Sequence, residues 1–71
     1  MNEYGKFIDW LNNSGNQFGA TIMSVRQMAQ ENNLTKEQVL SYLERYEEEC
    51  DGWFSYTYFF DTEDMIEYCF E

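Results

Sequence analysis

The run Trp53-Phe54-Ser55-Tyr56-Thr57-Tyr58-Phe59-Phe60 holds six aromatic residues, a β-branched threonine and no strong helix former, which makes it a β-strand. A single strand is not stable in water, so the rest of the chain must supply a partner. Residues 65–70, Met-Ile-Glu-Tyr-Cys-Phe, follow a polar turn at residues 61–64 and are read as that partner, completing a hairpin. The competing reading is a short helix capped by Asp61 or Thr62, with Met65, Ile66, Cys69 and Phe70 on one side. The hairpin is preferred because it gives the long strand something to pair with. The aromatic residues of residues 53–60 are expected on both faces of that strand, and three short helices cover one face. The other is expected to be an interface, with Trp53, Tyr56 and Tyr58 among its residues.

Three helices precede the hairpin. Tyr4, Phe7, Ile8 and Leu11 recur at three- and four-residue spacings and form one face of the first, which Gly15 ends by taking the left-handed conformation. Residues 16–19 read as a polar loop and residues 20–23, Ala-Thr-Ile-Met, as a short β-prone segment. Ser24-Val25-Arg26-Gln27 and Thr35-Lys36-Glu37-Gln38 are two capping boxes, each with a hydrophobic staple: Met23 with Met28, and Leu34 with Val39. Val25, Met28 and Ala29 line one helix, and Val39, Leu43 and Tyr46 the next, with Asn32-Asn33-Leu34 as the turn between them.

At 71 residues the chain allows one domain, spanning 1–71. A core of that size supplies about 3–5 kcal/mol of net stability. Hydrophobic residues at 44% and aromatics at 20% take it out of the disordered class despite a net charge of −10. That charge is placed unevenly. Residues 1–36 carry three acids and three bases, whereas residues 37–71 carry eleven acids and one base, Arg45. Whatever the second half touches is expected to be basic. No apolar run nears the roughly 18 residues of a membrane span, and Met1-Asn2-Glu3-Tyr4 does not begin a secretory signal, so a soluble cytoplasmic protein is expected. In that setting Cys50 and Cys69 are free thiols, and two sulfurs without histidine make no zinc site.

The order helix, short strand, helix, turn, helix, hairpin resembles the winged helix-turn-helix family, an α+β fold. Residues 24–43 carry the resemblance: a capped helix, small Ala29 at the crossing, Asn33 at the turn, apolar Leu34, a new cap and Val39. The resemblance implies that residues 35–49 form a recognition helix and that the hairpin is a wing. DNA-binding members place lysine and arginine there, because phosphate neutralisation supplies much of the affinity. Here the outward positions are Glu37, Ser41, Glu44 and Glu48, and residues 53–71 hold five acids and no base. The fold suggests DNA and the charge opposes it.

Without histidine there is no Ser-His or Cys-His pair, and no glycine-rich phosphate loop or calcium loop is written in the chain, so no active site and no cofactor are expected. The first functional expectation is a non-enzymatic module that binds and inhibits or redirects a basic nucleic-acid-binding protein. Its partner-binding residues are Glu37, Glu44, Glu48, Asp61, Glu63, Asp64 and Glu67 with Trp53, Tyr56 and Tyr58. In composition such a chain is similar to phage-encoded antagonists of host nucleases, restriction, CRISPR or transcription machinery. The acids either imitate spaced phosphates or steer docking. Two other readings stand beside it: a DNA-binding regulator using Lys36, Arg45 and Arg26 for phosphate contacts, and a homodimerising interaction domain.

Overall fold

The alternation of large and small side chains along residues 54–59 decides the architecture. In the computed structural model, which describes residues 2–15 and 19–70, strand β2 (Phe54–Phe59) turns Phe54, Tyr56 and Tyr58 toward the helices and Ser55, Thr57 and Phe59 outward. Its partner is the strand β3 (Met65–Phe70), paired antiparallel from Phe54↔Phe70 to Phe59↔Met65, so the hairpin forms and the helical alternative for residues 65–70 does not. Tyr56 and Tyr58 are therefore half-buried on the covered side. The expected second aromatic face is mostly serine and threonine, because a period of two sends the rings at even positions one way and the hydroxyls the other.

A third strand, β1 (Thr21–Ser24), pairs antiparallel with β3 on its other side, from Thr21↔Tyr68 to Ser24↔Met65, giving the sheet order β1-β3-β2. Helices α1 (Glu3–Ser14), α2 (Val25–Asn32) and α3 (Lys36–Cys50) complete the chain order α1-β1-α2-α3-β2-β3. The described residues form an α+β fold, with three helices and a three-stranded antiparallel sheet. The core joins Phe7 and Leu11 of α1, Val25, Met28 and Ala29 of α2, and Val39 and Leu43 of α3 to Phe54, Ile66 and Tyr68 of the sheet. Tyr46 packs at its edge, its ring 5.0 Å from that of Phe54.

Gly15 does not take the left-handed conformation expected of it; its φ is −92°. It is glycine for want of space. A Cβ there would stand 3.0 Å from Cε2 of Tyr68, so the end of α1 lies directly against that buried ring. Of the loop expected at residues 16–19, residues 16–18 lie outside the described residues. The turn expected at Asn32-Asn33-Leu34 does form, with Asn33 left-handed at φ 57° and its N–H closing α2 onto the carbonyls of Ala29 and Gln30.

Thr35 forms a complete capping box: its hydroxyl accepts from Gln38 N–H at 3.1 Å, and the Gln38 side chain accepts from Thr35 N–H at 2.8 Å. Ser24 forms half of one. Its hydroxyl accepts from Gln27 N–H at 3.1 Å, while the Gln27 amide turns to Glu31 instead. Thr35→Ala and Ser24→Ala are each expected to cost about 1 kcal/mol, read as a lower urea midpoint. An unmoved midpoint in both would mean that the caps contribute nothing to these helix starts.

Candidate functional site

The carboxylates expected to meet a partner divide into three groups. Glu37, Glu44 and Glu48 follow one another at seven- and four-residue steps along α3, which sets them with Ser41 on one exposed stripe about 16 Å long at 1.5 Å rise per residue. Among the described residues none of the three has an ion pair or side-chain hydrogen bond. Asp61 and Glu63 are exposed in the β2–β3 turn. Glu67, by contrast, stands half-buried on β3, on the outward side of the sheet. The turn group lies at the Glu37 end of the α3 stripe, because the turn is fastened to Lys36, the first residue of that helix.

Asp64 is the fastening, and it is not a free acid. Its Oδ1 accepts from Lys36 Nζ at 3.1 Å and from the Tyr58 hydroxyl, and Arg26 Nε lies 3.7 Å from its Oδ2. Its carbonyl accepts the N–H of Val25, the first residue of α2, at 2.8 Å. One residue thus joins the hairpin turn to the starts of two helices. Asp64 and its neighbour Glu63 both have positive φ, 55° and 59°, a conformation that aspartate tolerates better than most residues. The Tyr58 hydroxyl and the Lys36 ammonium hold the Asp64 carboxyl below the ordinary range, and the same contacts raise Lys36.

The one base of the second half is likewise engaged. Arg45 lies over the Tyr4 ring, 3.8 Å from its centroid, and its Nε is 3.3 Å from Glu49 Oε2. The Tyr4 hydroxyl donates to Glu49, and Tyr42 donates to Glu3 at 2.6 Å, which secures α1 against α3. Hydrogen bonding from Tyr4 lowers the Glu49 carboxyl. The three side chains that would touch phosphate in a DNA-binding reading, Arg26, Lys36 and Arg45, are each paired with an acid of this chain.

Of the aromatic residues expected at the interface, Trp53 is exposed, at 68%. Phe59 at 38% and Phe60 at 74%, part of the aromatic run but not among the residues assigned to the interface, are exposed as well, and so is Ile22 at 61%, which sequence reasoning passes over. For Phe59 the signal is its place in the alternation, two residues beyond Thr57 on the side of the hydroxyls. Among the described residues no group of three metal-ligating side chains comes together, and no helix is long and apolar enough to cross a membrane. No family model matches the chain, and no curated protein and no solved structure matches it.

The Asp64 junction predicts a pH signature. Asp64→Ala is expected to lower the urea midpoint more than Asp64→Asn, since asparagine keeps an acceptor oxygen and tolerates positive φ. The contribution of the charge is present above the ordinary carboxyl value of 3.8 and is lost as pH falls through the depressed native value. The wild-type advantage over Asp64→Asn should therefore shrink in acid. An advantage that stays constant from neutral pH down to about pH 2 would show that the ionised carboxylate is not what holds the turn.

Proposed function

We propose that this protein is a non-enzymatic interaction module of the cytoplasm, built on a winged-helix-like scaffold, that binds a basic nucleic-acid-binding protein and inhibits or redirects it. The element order and the β1-β3-β2 strand order support the scaffold reading, with α3 in the place of a recognition helix and β2–β3 in that of a wing. One observation carries the function. Arg26, Lys36 and Arg45 are spent on acids of the same chain, leaving the carboxylates of Glu37, Glu44, Glu48, Asp61 and Glu63 without a cation among the described residues of this surface. A surface so charged attracts a basic protein and repels a phosphate backbone. The same pairing weighs against the DNA-regulator reading, which needs those three cations free.

The test is capture of the partner under rising salt, followed by competition. Glu37→Gln, Glu44→Gln and Glu48→Gln together are expected to weaken the captured complex about tenfold or more, and added salt to reproduce much of that loss. Nucleic acid bound by the partner is expected to displace this protein. Simultaneous binding of both with unchanged affinity would leave steering and remove imitation of phosphate. Salt-sensitive, sub-micromolar binding of duplex DNA by the protein itself would overturn the proposal.

A further inference from the structure

The outward side of the sheet has a different chemistry from α3. Its strand positions are Ile22 and Ser24 of β1, Ser55, Thr57 and Phe59 of β2, and Met65, Glu67 and Cys69 of β3. In a chain with 14 acids, one of these eight side chains is charged. Glu67 lies on the central strand, directly between Ile22 and Thr57 in the register, with the row Ser24-Met65-Phe59 beside it. Among the described residues its carboxylate has no ion pair or hydrogen bond. The helices pack on the other side of the sheet, so nothing of this chain among the described residues covers the face, and Ile22 and Phe59 are left open to solvent.

We propose that this face, with Glu67 at its centre and Ile22, Phe59 and Met65 around it, is a second docking surface. Its occupant is a partner protein that presents an arginine or lysine side chain from apolar surroundings. An occupant that covers Ile22 and Phe59 also takes Glu67 away from water, and a carboxylate so covered is costly unless a cation meets it. Arginine suits the place best, its flat guanidinium forking onto the carboxylate while its face lies against the Phe59 ring. A second copy of this chain suits it badly. Two-fold pairing about the face would set Glu67 against its mate and bring together two molecules of net charge −10. The inference goes beyond the α3 reading, since it uses the opposite side of the sheet and none of the α3 or turn carboxylates.

The protein supplies its own probe. Glu67→Arg makes the same face, with Ile22, Phe59 and Met65 unchanged, present an arginine from among apolar neighbours, which is the chemistry assigned to the occupant. The wild type and the variant are each expected to remain monomeric in analytical ultracentrifugation, and an equimolar mixture to form a one-to-one dimer. Salt of about 0.5 M shortens the range of the net repulsion to a few ångströms while sparing a covered pair. Association in the mixture should exceed that of either protein alone by about tenfold or more, and Ile22→Asp in both should abolish it. Glu67→Lys, read in the same way, keeps the test independent of whether the arginine variant folds. Pairing should survive Glu37→Gln, Glu44→Gln and Glu48→Gln, so this proposal and the α3 reading fail separately. A mixture no more associated than its components would overturn the proposal, as would a wild type that dimerises alone through this face, which would make the occupant a second copy.

Discussion

Phe54→Ala is expected to leave the chain unfolded at room temperature. Phe54 is 1% exposed and is the meeting point of the aromatic cluster, with ring centroids of Tyr46 at 5.0 Å, Phe70 at 5.3 Å, Tyr68 at 6.1 Å and Tyr56 at 6.3 Å. Truncating a buried phenylalanine costs about 3–5 kcal/mol, from the forfeited transfer free energy and the cavity left behind. That equals the roughly 3–5 kcal/mol that a core of this size supplies in total. The Phe54 ring also ties α3 to the hairpin, and the buried residues among those described form one cluster, so the sheet has no second core there to fall back on. Far-ultraviolet circular dichroism and amide dispersion should collapse together. Phe54→Leu should retain a cooperative urea transition at a lower midpoint, and Trp53→Ser, at an exposed position, should shift it by no more than about 0.5 kcal/mol. A cooperative transition in Phe54→Ala with the wild-type midpoint would show that the core does not centre on this ring.

The elements are legible in the sequence because each is written locally. The two caps, the staple residues Met23 and Leu34, the turn at Asn33 and the hairpin all depend on neighbours within a few positions, and all are found where local chemistry puts them. The facing of β2 is legible too, in the hydroxyls at Ser55 and Thr57, but the density of aromatics masks the period of two. What the sequence hides is long-range. Nothing near Asp64 announces that Lys36, 28 positions away, will meet it, so an internal fastening reads as one more surface acid. Gly15 reads as a turn residue when the constraint on it is Tyr68, which only the folded chain brings alongside. The stripe at Glu37, Glu44 and Glu48 follows from helical spacing alone. That it lacks cations can be learned only by seeing where Arg26, Lys36 and Arg45 go.

Base is expected to unfold this protein in one cooperative step, and its tyrosines set the point. Five of the six tyrosines hold their protons more tightly in the folded chain than the ordinary 10.0. Burial is the main cause at Tyr4, Tyr46, Tyr56 and Tyr68, and a hydrogen bond donated to Glu3 at Tyr42. A group whose native value is raised stabilises the fold fully below its unfolded value and ceases to do so as pH rises through the native one. Lys36, raised by Tyr58 and Asp64, acts in the same direction. Above about pH 10 the unfolded chain releases phenolic protons that the native chain retains, so stability falls with every increment of pH. Each phenolate also adds to a net charge already at −10, and self-repulsion steepens the fall. The phenolate absorbance of these five tyrosines and the circular dichroism should therefore change together, above the ordinary phenolic range, rather than the first preceding the second. Tyr68→Phe should move the step to higher pH, because it removes the ionisable hydroxyl of the tyrosine deepest in the core, at 1% exposure. Titration of these five tyrosines one by one around pH 10 while the circular dichroism stays native would mean that the folded chain does not hold their protons.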